Sequence, residues 1–170
     1  MTLRPPTLPA LGATLAAALA LAACGPRSSA PADASGAAPT APAAPAMSEA
    51  EAKAVVAALP APYNGADIED GRKQFVKCKA CHTLSPDGHS ATGPALWGVY
   101  GRKAGTYPAY AFSEPLKAAG YEWDAAHLDP WLADPRGTIP GTKMSFIGLK
   151  DQKDRIDLIG YLATQGPKKP

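Results

Sequence analysis

The chain has 170 residues and a formal charge of +2, from 17 basic and 15 acidic side chains; that balance excludes the concentrated basic footprint a nucleic-acid partner needs. Hydrophobic residues make up 46%, yet only three are Phe and three Trp while nineteen residues are Pro, so Ala carries much of the apolar count and one 170-residue globule is not expected. Three Cys is an odd number, which rules out a framework built only of disulfides and leaves each Cys to be explained.

Residues 1–23 read as a secretory signal. Arg4 is the sole charge, and 8–23 is an uncharged apolar run broken by Pro9 and Gly12. Such a run is short for a membrane span and right for a signal core. It ends Leu21-Ala22-Ala23-Cys24, which resembles the bacterial lipobox. Cys24 is then the lipidation site, with cleavage just before it; an ordinary signal peptide with a stray Cys is the alternative. Several acyl chains anchor stably where one binds marginally. Residues 24–47 form an Ala- and Pro-rich tether. After Cys24, its 23 residues hold nine Ala, five Pro and no Leu, Ile, Val or aromatic, so it cannot bury enough area to offset its ordering entropy. Its prolines favour an extended chain of about 3.1 Å per residue, a reach of roughly 70 Å at most.

Residues 48–66 are a short helix and lead-in. Ser48 with Glu51 three residues on makes a capping box, and Pro60 and Pro62 stop the helix near Leu59. The folded domain spans 67–166, with 167–170 as a tail. A helix is predicted over 67–79. Asp67, Glu69 and Asp70 lie in its first turn, where the helix dipole favours them, and Ile68, Gly71, Phe75 and Cys78 share one face.

That helix runs into Cys78-Lys79-Ala80-Cys81-His82, the C-x-x-C-H pattern of covalent haem attachment. Two thiols one turn apart can each form a thioether to a vinyl group of one porphyrin, and the next residue, His82, is then held under the ring to ligate iron. A zinc site using Cys78, Cys81 and His89 is a rival, but it leaves His82 superfluous and no second C-x-x-C exists. A redox dithiol would want a βαβ context, and none is readable.

Farther on, 124–134 looks helical, but Pro130 cannot donate inside a helix; a helix starting at Asp129-Pro130 is one solution. Met144 is the only Met of the domain and follows a Pro140-Gly141 turn. It is a candidate second axial ligand, with His89 and His127 as rivals and a core Met as the plain alternative. The last helix opens at Asp151, carries Ile156, Ile159 and Leu162 at near-helical spacing, and closes at Gly166-Pro167.

From residue 67 to about 165 the chain resembles the class I c-type cytochromes, especially the mitochondrial cytochrome c and bacterial cytochrome c2 group. The resemblance is carried by Cys78-Lys79-Ala80-Cys81-His82-Thr83-Leu84, Thr92-Gly93-Pro94-Ala95-Leu96-Trp97-Gly98, Gly101-Arg102-Lys103-Ala104-Gly105, Trp123, Ile139-Pro140-Gly141-Thr142-Lys143-Met144-Ser145-Phe146 and Asp157-Leu158-Ile159-Gly160-Tyr161-Leu162. It implies an all-α class I cytochrome c fold, in which N- and C-terminal helices cross around one covalent haem c. It also implies thioethers at Cys78 and Cys81, with His82 and Met144 as axial iron ligands. Pro94 would offer its carbonyl to His82. Arg102, Trp123 and Thr142 would bind the haem propionates, with Tyr110 near that edge, and Gly71 and Phe75 would cross Leu158 and Tyr161. Three positions depart from the group: Phe112 stands where a Tyr is common, Leu116 where an Asn is usual, and Trp131 where a Tyr is usual. Each alters a polar partner beside the haem, so a potential cannot be carried over, although His/Met ligation raises it.

Lys77, Lys79, Lys143 and Lys150 flank the attachment pattern and the Met loop and form a candidate docking face. Asp151, Asp154 and Asp157 are expected on the last helix, away from it. The domain holds 12 basic and 12 acidic residues, so it would be dipolar; a solvated mixed surface is the alternative. The expected function is that of a lipid-tethered, monomeric electron carrier on the periplasmic side of a bacterial membrane. It would work between a quinol-oxidising complex (a quinol–cytochrome c oxidoreductase) and a terminal oxidase or other reductase, with no enzymatic activity of its own. The rival readings are a ligand-binding, peroxidase-like or sensory haem protein, and a fixed subunit of a larger oxidoreductase.

Overall fold

The structure, a computed structural model, describes residues 47–108 and 110–167. The signal segment, Cys24, the tether through residue 46 and residues 168–170 lie outside the described residues. Within them the regular elements are helical, and an isolated antiparallel bridge joins Lys103 and Glu122.

Helix α1 spans Glu49–Ala57 and is opened by the expected capping box: the Glu51 amide donates to the Ser48 hydroxyl, and the Ser48 amide donates to the Glu51 carboxylate. Helix α2 spans Ile68–Gln74. Asp67 caps it, its carboxylate accepting from the amides of Glu69 and Asp70 at 2.9 Å each. The predicted helix over 67–79 is shorter than expected, because Phe75–Lys77 tightens into a 3-10 turn. The Cys78 amide bonds to the Phe75 carbonyl at 2.9 Å, an i to i+3 closure in place of the i to i+4 one.

Three further helices follow: α3 (Glu114–Lys117), α4 (Ala125–Ala133) and α5 (Pro135–Thr138). The start proposed at Asp129-Pro130 is not used. Asp124 caps α4 through the His127 amide at 2.9 Å, so the helix begins upstream and Pro130 lies inside it. One donor is forfeited there, and the helix ends three residues later, which confines the damage to its last turn. Asp134, at φ −158° and ψ 90°, ends α4 and caps α5 by accepting from the Gly137 amide at 3.0 Å.

Helix α6 spans Gln152–Ala163 and crosses α2. The crossing is close because Gly71 has no side chain: a Cβ there would collide with the Asp157 carbonyl and meet Tyr161 Cβ at 2.7 Å. The rings of Phe75 and Tyr161 pack beside it, 5.8 Å apart and tilted by 52°. Leu158, Ile159 and Leu162 carry α6 into a core shared with Phe75, Leu116, Trp123, Leu128, Trp131 and Leu132. On another face of α6, Gly160 admits α1 and its lead-in, since a Cβ at Gly160 would overlap Ala66 and touch Val56 at 3.7 Å. Asp157 is not a surface charge of the last helix. Only 3% exposed, its carboxylate accepts the Asp67 amide at 2.9 Å and pairs with Lys153. The cap of α2 is thereby fastened to α6, which compensates a carboxylate that would otherwise be costly to bury.

Candidate cofactor site

Beyond the 3-10 turn the chain continues in tight turns: the amides of Cys81 and His82 both donate to the Cys78 carbonyl, at 3.0 and 2.9 Å. This winding directs Cys78, Cys81 and His82 to the wall of one cavity of about 340 Å³, to which Met144 also contributes. Cys78 and Cys81 are free, and burial pushes the Cys78 thiol up to about 11. Among the described residues no three His, Cys, Asp or Glu side chains cluster as a metal site, and His89 does not join Cys78 and Cys81 at the cavity as the zinc alternative requires. His89 is exposed, whereas His127 stacks on Tyr121 at 4.0 Å with its Nδ1 2.7 Å from Asp124; neither lines the cavity.

His82 Nδ1 lies 2.8 Å from the Pro94 carbonyl oxygen. A carbonyl can only accept, so the ring carries its proton on Nδ1 and leaves the Nε2 lone pair bare. Burial pulls the imidazole below its ordinary pKa, against the opposing effect of the Pro94 bond, and so favours the neutral ring a metal requires. Gly93 makes the approach possible, because a Cβ there would reach within 2.7 Å of His82 Nδ1. Its amide donates to the Cys81 carbonyl at 2.7 Å, which ties this segment back to the attachment pattern.

Arg102, Trp123, Thr142, Tyr110 and Pro94 all line the same cavity. Arg102 is half-buried and donates to the carbonyls of Ala95 at 2.9 Å and Trp97 at 3.2 Å; among the described residues it pairs with no carboxylate. Burial lowers its pKa from the ordinary value, with Tyr107 opposing. Thr142 accepts the Met144 amide at 3.2 Å, which steadies the loop behind the thioether. Tyr110 is held to the wall on two sides. Its hydroxyl is committed to the Thr92 carbonyl at 3.1 Å and its ring to Phe112 at 4.9 Å, so it braces the wall. Phe112, Leu116 and Trp131 make the lining more apolar, and Trp131 packs on Trp123 at 5.3 Å.

Ser113 and Tyr107 are among the lining residues that the sequence did not single out. The Ser113 hydroxyl is buried without a hydrogen-bond partner, and Tyr107 lies against Arg102. A lone Ser and a Tyr in a loop carry no spacing signal; only the tertiary contacts distinguish them. The donor set suits a haem: two thiols, a bare imidazole nitrogen and a thioether serve a porphyrin and its iron. An uncompensated guanidinium and an orphaned hydroxyl suit an anionic edge.

Lys77 and Lys143 lie at the cavity, and Lys79 and Lys150 are exposed. The expected separation of the acidic helix from this rim does not hold, because Asp154 stands 3.8 Å from the Lys77 ammonium. Lys143 donates to the Ala111 carbonyl and Lys150 to the Ala133 carbonyl at 2.7 Å.

The cytochrome c family matches residues 68–166. The chain is similar to cytochrome c2 of Rhodomicrobium vannielii, 43% identical over 103 residues that cover 61% of this chain and 82% of that one. It is also similar to cytochrome c of Euglena viridis, 46% identical over 99 residues, 58% of this chain and 96% of that one. Among solved structures, cytochrome cH from Methylobacterium extorquens superimposes with a TM-score of 0.55 at 48% identity, covering 58% of this chain and 98% of that chain. With more than half of its length matched and this cavity at its centre, the chain belongs to the cytochrome c family: it is a class I, monohaem electron carrier with one covalently attached haem c.

Proposed function

We propose that this chain is a membrane-tethered carrier of single electrons between a quinol-oxidising complex and a terminal oxidase or other reductase, on the periplasmic side of a bacterial membrane. The observation that carries the site reading is the convergence of Cys78, Cys81, His82 and Met144 on one cavity, with His82 held by Pro94 at 2.8 Å. Haem c, when bound, supplies a one-electron iron couple. Cys78 and Cys81 hold it by thioethers, and His82 and Met144 ligate the iron. Pro94 keeps the His82 proton on Nδ1 and so directs Nε2 at the metal. Arg102, Trp123, Thr142 and Ser113 meet the carboxylate edge, which Tyr110 braces. The apolar lining excludes water, so little solvent has to reorganise when one electron arrives or leaves.

Cys24 carries the lipid, and residues 25–47 are the tether. Confinement within about one tether length of the membrane raises the effective concentration near membrane partners. Among the described residues no helix is long and apolar enough to cross a membrane. The carrier acts as a monomer, with Lys77, Lys79, Lys143 and Lys150 on its docking side. The test is the intact mass of the mature protein from a bacterial membrane. One haem plus acyl chains on Cys24 is expected; a mature mass with free Cys78 and Cys81 would overturn the site, and an unacylated Cys24 would overturn the tether.

A further inference from the structure

Tyr107 ties the Arg102 part of the cavity wall to the Gly88 turn outside it. Its hydroxyl donates to the Gly88 carbonyl, and the Arg102 guanidinium carbon lies 4.8 Å from the centre of its ring. The close approach is built from both sides. Gly88 has φ +75°, a backbone position that favours glycine, and a Cβ there would run into the Tyr107 hydroxyl. Arg102 in turn donates to Ala95 and Trp97, next to the Pro94 that holds His82. Tyr107 and Arg102 both line the cavity.

A guanidinium over a ring face is attracted by the ring quadrupole, and the ring also keeps water off that face. A charge with less water around it acts through a lower effective dielectric, so its influence on a neighbour grows. A positive charge beside a group that gains an electron favours the reduced form. Arg102 pairs with no protein carboxylate among the described residues, so how well it is covered decides how strongly its charge offsets the haem carboxylates it would face.

We propose that Tyr107 is a positioning residue that raises the reduction potential by holding Arg102 covered and oriented at the cavity wall, with the Gly88 bond fixing the ring. This rests on the reading that the cavity holds haem with Arg102 at its carboxylate edge. A purely structural contact would lower the melting temperature on removal and leave the potential alone.

The experiment is potentiometric titration of the holoprotein as wild type, Tyr107→Leu and Tyr107→Phe. Tyr107→Leu is expected to lower the equilibrium constant for reduction roughly threefold, about 28 mV at about 59 mV per decade for one electron. Tyr107→Phe keeps the ring face but gives up the Gly88 bond that fixes it, so its shift should fall between wild type and Tyr107→Leu. Tyr107→Gln, similar in reach but without a π face, should shift as Leu does and stands in if the Leu variant does not fold. A wild-type potential in the Leu or Gln variant, or an equal shift in the Phe variant, would overturn the proposal. Wild-type protein without covalent haem would instead sink the site reading itself, so the two failures are distinguishable.

Discussion

The Gly93 backbone passes so close to the His82 ring that a single added carbon would lie 2.7 Å from Nδ1, the atom that bonds the Pro94 carbonyl. The segment that fixes the histidine proton is therefore also the segment that blocks the ring from turning. Gly93→Ala should displace the ring or the segment. Overpacking of this kind costs about 1–3 kcal/mol, read by denaturant unfolding of the holoprotein. An Ala variant with wild-type stability and potential would show that the contact is slack.

Gly71→Ala tests the helix crossing. The added methyl would meet the Asp157 carbonyl, which is backbone and cannot swing aside. A loss of about 1–3 kcal/mol is expected in chemical denaturation. A neutral substitution would mean that α2 and α6 separate more easily than this crossing implies.

Much of this was legible in local sequence. Ser48 with Glu51, Asp67 with its acidic neighbours, and Cys78, Cys81 and His82 act over a turn or less, so their spacing alone specifies caps and a site. Long-range pairings were not legible. Asp157 looks like one more acid on a polar helix until Asp67, ninety residues earlier, is seen to donate to it. Pro130 misleads for a related reason: the Asp124 cap and the buried Leu128, Trp131 and Leu132 outweigh the one missing donor. Ser113 and Tyr107 become meaningful only once folding brings Ser113 to the cavity and sets Tyr107 between Arg102 and Gly88.

Ser113 offers a test of the anionic edge. Its hydroxyl is buried and partnerless among the described residues. Should it donate to a haem carboxylate, Ser113→Ala in the holoprotein forfeits a bond to a charged group, about 1.5–3 kcal/mol. A neutral or stabilising substitution would place the carboxylates elsewhere.

The lysine rim predicts salt dependence. Lys79 is exposed, and with Lys77 and Lys143 it lies beside the attachment pattern or the Met loop. Electron exchange with a purified terminal oxidase should weaken as salt rises, and Lys79→Glu should slow it most at low ionic strength. A rate independent of salt would remove the docking role of these lysines.

The central claim is that His82 and Met144 hold the iron between them in this cavity. The most direct measurement is the absorption spectrum of the ferric protein near neutral pH, wild type beside Met144→Ala. The account predicts a far-red methionine–iron band in the wild type, its loss in the variant, and slow carbon monoxide binding by the reduced wild type. A wild-type spectrum without that band, or rapid carbon monoxide binding, would contradict it and point to an open sixth position.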